Sequence, residues 1–217
     1  MFDPMQDLGP RLKSIRLASD KSLREVARGL EVSPSFLSQI ENGKSYPSVA
    51  TLYSLARYLG VPIDTFFAAT FEEKSPQNSS SGEITSRTLI DSPADAWDEG
   101  GARVSLINPQ NRSLLTMESG IRWERLAATQ DGEVNFMEII YEPGVGSNGK
   151  GELVFHDGYE YGYALEGEIE LTIGESVLNL SKNQSIGFDS SMPHRFQNTG
   201  SAVFRGIWFV HGCHPKK

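Results

Sequence analysis

The chain has a single cysteine, Cys213, and so can form no internal disulfide, a usage that fits a reducing compartment. No apolar run approaches the roughly 18 residues that a bilayer-spanning helix needs. The opening residues, MFDPMQDLGP, are acidic and lack the basic-then-apolar layout of a secretion leader. These absences set the expectation of a cytoplasmic protein with no membrane partner. Net positive charge is also lacking: 20 Lys and Arg face 28 Asp and Glu, a balance of −8. The deficit is uneven. Residues 1–70 hold eight basic and seven acidic side chains, leaving 12 and 21 for the remainder. The first third is thus near neutral with local basic points, and attraction to a polyanion would be modest and confined to it.

The most informative stretch is 22–46, SLREVARGLEVSPSFLSQIENGKSY. Ser22 and Glu25 form a capping-box pattern at a helix start, and Leu23, Val26, Ala27 and Leu30 follow at helical spacing. Ser33–Pro34 opens a second helix with a hydroxyl cap and a ring where no N–H is needed. Leu37 and Ile40 face inward on it, and Asn42–Gly43 stops it. Its other face carries Ser35, Ser38 and Gln39, short polar side chains suited to the edges of base pairs. Around this pair, Leu8, Leu12 and Ile15 mark an earlier helix. After Pro47–Ser48, a second helix start with proline and a hydroxyl, Leu52, Leu55, Ala56 and Leu59 mark a later one, and Pro62 opens a short last one with Ile63, Phe66 and Phe67. Five helices of such length predict a compact all-α bundle.

Residues 8–68, through SPSFLSQIENGK and PSVATLYSLARYLGVPIDTFF, closely resemble the Xre-type, lambda-repressor-like helix-turn-helix family. That resemblance implies phosphate contacts from Arg24 and Lys44 and base reading by Ser35 and above all Gln39, whose amide can pair bidentately with adenine. It implies that Ser22, Ser33, Pro34, Ser38 and Asn42 set geometry or touch phosphate. One departure is Glu31, which stands where the family's tight turn usually has glycine. A non-glycine residue at positive φ costs roughly 1 kcal/mol, so the turn is expected to form under strain or with a shifted boundary.

Residues 72–82, EEKSPQNSSSG, have no apolar periodicity and read as a flexible linker. Beyond them the period changes from helical to two. Ile169, Leu171 and Ile173 alternate with polar residues, and similar short segments fall at 103–107, 121–126, 136–141, 153–155, 176–180, 185–188, 194–198 and 203–210. Many short strands with no alternating helix predict a sandwich or barrel. The boundaries expected are 7–69 for the helical domain, 70–85 for the linker and 86–214 for the β domain. Residues 93–112 fit this pattern poorly and read as an insertion or an unusual edge.

Residues 141–215 resemble a cupin, a double-stranded β-helix or jelly roll. The resemblance lies in Glu142-Pro143-Gly144, then His156-x-Gly158-x-Glu160, then Pro193-His194 and Asn198. It implies that His156, Glu160 and His194 converge in the barrel, with Val154 where metal-binding cupins place a further histidine. Two histidines and a carboxylate suit a divalent Fe, Mn, Ni or Zn ion. The alternative is a hydrogen-bonded polar cluster that grips an organic effector, with Tyr163, Arg195 and Trp208 nearby. Glu160 and the surplus of carboxylates point to an amine or amino-acid effector. Gly144–Gly149 matches G-x-G-x-x-G, but a strand-like segment follows it, so a loop is expected and not a nucleotide site. His211, Cys213 and His214 read as tail residues.

Together these resemblances imply a DNA-binding transcriptional regulator, a repressor, with no catalytic residues. A cupin-bound small metabolite would modulate its grip on a roughly palindromic double-stranded operator, bound by a homodimer. The alternative is a metal-dependent cupin oxygenase or isomerase fused to an autoregulatory DNA-binding domain. A third reading, a phage-type repressor or antitoxin, would leave the β domain without a role.

Overall fold

The computed structural model describes residues 5–67, 107–127, 134–147 and 153–212. The expected linker, all but the last residue of the strand at 103–107, most of the 93–112 segment, the end of the G-x-G-x-x-G stretch, Cys213 and His214 lie outside the described residues.

The N-terminal domain contains helices α1 (Met5–Ala18), α2 (Leu23–Gly29), α3 (Pro34–Glu41) and α4 (Val49–Leu59). The expected fifth helix is a 3₁₀ turn, Ile63–Phe66, too short for an α-helical ladder. The caps read from sequence form. Ser22 Oγ accepts the Glu25 N–H at 3.2 Å while Glu25 Oε2 accepts the Ser22 N–H at 2.7 Å. Ser33 and Ser48 accept from Phe36 N and Thr51 N, each at 3.1 Å. Glu31 adopts φ 57°, and the N–H groups of Glu31 and Val32 reach back to the carbonyls of Arg28 and Ala27. That pair of bonds is a Schellman closure of α2 with glutamate in the place that glycine occupies without steric cost.

Leu12, Val26, Leu37, Ile40, Leu52 and Leu55 fill the helical core, each at most 2% exposed. A Cβ at Gly9 would lie 2.7 Å from the Ile40 and Glu41 carbonyl oxygens, so α1 crosses the end of α3 where only glycine fits. Nearby, Arg16 grips Glu41 through Nε–Oε1 at 2.6 Å and Nη2–Oε2 at 2.9 Å, both side chains buried. Its Nη1 also donates to the Lys21 carbonyl. The pair closes α1 onto α3.

The β domain has nine described strands: β1 (Leu114–Thr116), β2 (Arg122–Ala127), β3 (Val134–Tyr141), β4 (Tyr159–Glu166), β5 (Glu168–Ile173), β6 (Ser176–Ser181), β7 (Ser185–Asp189), β8 (His194–Gln197) and β9 (Phe204–His211). They form two antiparallel sheets, ordered β1-β2-β3-β9-β4-β7 and β6-β5-β8. Their buried faces meet, with Phe196 of the small sheet 5.0 Å from the Trp208 ring of the large one. Asn198 is a structural staple. Its amide nitrogen donates to the Tyr141 and Ala202 carbonyls at 2.9 and 2.8 Å.

Strand β4 is inverted relative to ordinary patterning. Tyr159, Tyr161 and Tyr163 point outward while Glu160, Gly162 and Ala164 point in. Gly162 is required there. A Cβ would come 2.3 Å from the Trp208 indole, which lies across it. The predicted strand at 153–155 reduces to one bridge, Val154 to His194.

The two domains touch. The Glu118 N–H donates to the Pro47 carbonyl at 2.9 Å, and Arg57 sits 5.3 Å from the centre of the Phe155 ring.

Candidate functional site

On the helical domain, Ser22, Arg24, Ser33, Pro34, Ser35, Gln39, Asn42 and Lys44 are all exposed, and Ser38 is half-buried. Ser35, Ser38, Gln39 and Asn42 fall at i, i+3, i+4 and i+7, one face of α3. The Asn42 amide donates to the Ser38 carbonyl at 2.7 Å. Ser22 and Ser33 are engaged as caps, which fixes the ends of α2 and α3. Among these residues Gln39 is an exposed amide on α3.

The second site lies in the barrel. Strand β4 carries Glu160, β8 carries His194 and β9 carries Trp208. His156 reaches them from the segment before β4. Val154 exchanges two main-chain bonds of 2.8 Å with His194, and the His156 N–H donates to Ser190. Glu160 is 3% exposed. Its Oε2 accepts the Trp208 indole N–H at 2.6 Å. Its Oε1 faces His156 Nε2 at 2.7 Å and His194 Nε2 at 3.2 Å. Burial alone would push the Glu160 carboxyl up. When their rings are protonated, the hydrogen bonds and charge of His156 and His194 outweigh that and hold it down, at about 2.

The other ring nitrogens settle what this arrangement asks for. His194 Nδ1 lies 2.8 Å from the Met192 carbonyl and His156 Nδ1 lies 3.2 Å from the Asp157 carbonyl. A carbonyl only accepts, so each Nδ1 carries the proton. A neutral imidazole then turns a lone pair at Nε2, and both lone pairs face a carboxylate oxygen. Three acceptors converging in a buried site require a cation between them, either protons on the rings or a metal ion. An Nδ1–H held by a carbonyl is also the usual support of a metal-bound histidine. The ligand atoms of His156, Glu160 and His194 lie within 4.8 Å of one another, so the donor set could hold a metal.

Two expected pocket residues are elsewhere. Tyr163 is 42% exposed on the outer face, where its hydroxyl donates to Asn183. It sits three positions after Glu160, an odd number, and so points to the opposite side. Arg195 alternates with His194 and Phe196, both buried, and lies beside Thr172 on the other face of the small sheet. Trp208 does face the site.

The site also contains a residue from the other domain. Tyr53 of α4 lies flat on the His156 ring, centroids 4.3 Å apart and planes within 6°. It also meets Trp123 edge-on at 6.1 Å. Val49 and Tyr53 line the barrel cavity with Met137, Ile139, Glu160 and His194. The sequence carried a signal for this. Helix α4 is apolar on two stripes: Leu52, Leu55 and Leu59 serve the helical core, while Val49 and Tyr53, four apart, face the barrel.

Comparison with known proteins agrees with the two-domain division. The helix-turn-helix family (HTH_3) matches residues 12–66 and the cupin domain family (Cupin_2) matches residues 137–210. The HTH-type transcriptional regulator PuuR of Escherichia coli (strain K12) is 28% identical over 204 residues, covering 92% of this chain and 91% of that protein. The HTH-type transcriptional regulator SutR of the same organism is 41% identical over 61 residues, 28% of this chain and 34% of its own. Among solved structures, an HTH_3 family transcriptional regulator from Vibrio cholerae superposes with a TM-score of 0.60 at 18% identity, over 99% of this chain and all of that one.

Proposed function

We propose that this chain, a DNA-binding transcriptional regulator with an Xre-type helix-turn-helix joined to a cupin domain, is a metabolite-responsive repressor acting as a homodimer on a roughly palindromic operator. The carrying observation is the pairing of an exposed reading face on α3 with a convergent His156–Glu160–His194 cluster in the barrel. One helix-turn-helix reaches too few bases for a specific site, which favours a symmetric pair with half-sites about one helical turn, roughly 34 Å, apart. Gln39 and Ser35 read bases. Arg24 and Lys44 hold phosphates, and Ser22, Ser33, Pro34, Ser38 and Asn42 set the approach.

In the barrel, His156, Glu160, His194 and Trp208 form the effector site, which takes an amine or amino acid. The donor chemistry fits a divalent Zn, Fe, Ni or Mn ion, and His156, Glu160 and His194 would hold it. Bound there, it would supply a positive charge that organises an effector. A regulator needs no turnover, and no curated relative described above is named as an enzyme. Among the described residues no helix is long and apolar enough to cross a membrane, in keeping with a cytoplasmic place beside DNA. The domain boundaries proposed are 7–69, 70–85 and 86–214.

The test is selection of genomic fragments by the purified full chain, then footprinting with and without a panel of amino acids and polyamines. A protected palindrome overlapping a promoter, weakened or strengthened by one compound of the panel, is expected. Protection far upstream of a promoter, with target expression lost in a deletion strain, would overturn the repressor assignment. Elemental analysis of the same preparation reports any retained metal.

A further inference from the structure

Two spaces meet at Tyr53. Inside the barrel, the cavity lined by Val49, Tyr53, Glu160 and His194 leaves about 20 Å³, room for one water molecule or one ion. Outside, a cleft of about 180 Å³ runs between α4 and the 153–157 segment, walled by Arg57, Phe155, His156 and Asp157. Tyr53 and Val154 belong to both walls. The tyrosine ring therefore separates a chamber lined by Glu160 and His194 from a vestibule lined by His156 and open to solvent. An amine or amino acid of several heavy atoms needs far more volume than one water, whose share of the liquid is roughly 30 Å³. With Tyr53 on His156, such a molecule cannot reach Glu160.

We propose that the effector site is these two spaces joined, opened by withdrawal of Tyr53, so that an organic effector and docked α4 exclude each other at the barrel mouth. This deepens the effector reading above and rests on it. A lone metal ion fits the inner chamber and needs no withdrawal. An effector does, and it must break the stack on His156 and loosen the Arg57–Phe155 and Pro47–Glu118 contacts alongside it. Helix α4 packs on α2, which in turn packs on α3, so displacing α4 together with the helical domain moves the reading helix with it. Docking leaves Gln39, Ser35 and Lys44 exposed. It therefore sets the orientation of the reading face without covering it. The effector is then a ligand of the undocked state, and operator DNA that prefers one orientation is coupled to it by reciprocal linkage.

Imidazole is a suitable probe. It is a planar ring that can take the place of the tyrosine on His156, and its cation can pair with Glu160. Binding is measured calorimetrically on chelator-treated full-length protein, wild type and Tyr53→Ala, with hydrogen exchange followed across α4. Tyr53→Ala is expected to bind imidazole at least tenfold more tightly. Tyr53→Phe, which keeps the stack, should match wild type and controls for folding. Saturating imidazole should speed exchange of the α4 amides in wild type, whereas zinc alone should not. Equal affinities for wild type and Tyr53→Ala, or α4 exchange left unchanged at saturation, would overturn the gating proposal while leaving the site itself standing. No binding to any of the three chains would overturn both.

Discussion

The Trp208 indole N–H and Glu160 Oε2 are 2.6 Å apart, so one carboxylate oxygen is fully engaged by the barrel wall and only Oε1 is turned toward the histidines. Trp208→Phe keeps the ring over Gly162 but removes that donor. An unsatisfied buried acceptor costs roughly 1–3 kcal/mol, and urea denaturation of the chelator-treated protein should show a loss of that size. Trp208→Phe with stability unchanged would mean that the carboxylate had found another partner.

Acid sensitivity should trace to the same carboxyl. The folded state holds Glu160 at about 2 against an ordinary 4.5, so folding favours its ionised form. Its contribution is full above the ordinary carboxylate range and is lost as pH falls from 4.5 toward 2. In metal-free protein Glu160→Gln should flatten that part of the stability–pH curve. A wild-type slope retained in Glu160→Gln would assign it to other carboxylates.

Arg16 and Glu41 lie 25 residues apart and pair in a buried setting. Arg16→Met leaves Glu41 as an uncompensated buried charge, and a loss of roughly 3–5 kcal/mol is expected. Arg16→Met combined with Glu41→Leu should recover most of it, because an apolar pair carries no desolvation penalty. Thermal melts of the single and double variants read both effects.

Glu31→Gly should stabilise the helical domain by about 1 kcal/mol, since glycine accepts the φ of 57° without the Cβ clash. A raised urea midpoint with an unchanged slope is the expected result. A lowered midpoint would show that the extra freedom of glycine in the unfolded chain outweighs the relieved strain.

The two kinds of DNA contact should separate in salt titrations. Gln39→Ala is expected to lose roughly 1–3 kcal/mol on the preferred operator and little on unrelated DNA. Arg24→Ala or Lys44→Ala should weaken all sequences alike and reduce the logarithmic salt slope by about 1. Mobility-shift titrations at several salt concentrations distinguish the outcomes.

What could be read from the sequence was what is local. The caps at Ser22, Ser33 and Ser48 depend on bonds three residues away, and each formed as the spacing implied. The His156–Glu160–His194 convergence was legible only through its likeness to cupin motifs, since periodicity says nothing about it. Strand β4 was not legible. Its buried positions hold Glu160, Gly162 and Ala164 while tyrosines face out, so its hydrophobic alternation points the wrong way. Tyr163, expected near the pocket, lies on that tyrosine face and points out. Tyr53 escaped because its partner, His156, is over a hundred residues later in the chain, and its stripe on α4 looked like more of the same core.

The main-chain bond from Glu118 to Pro47 has a consequence for how such proteins diverge. Neither atom belongs to a side chain, so the bond constrains the paths of the two backbones and leaves residue identity almost free. Any residue but proline at position 118 keeps the N–H that the bond needs, so this seam between reader and sensor can outlast changes of side chain on either side of it.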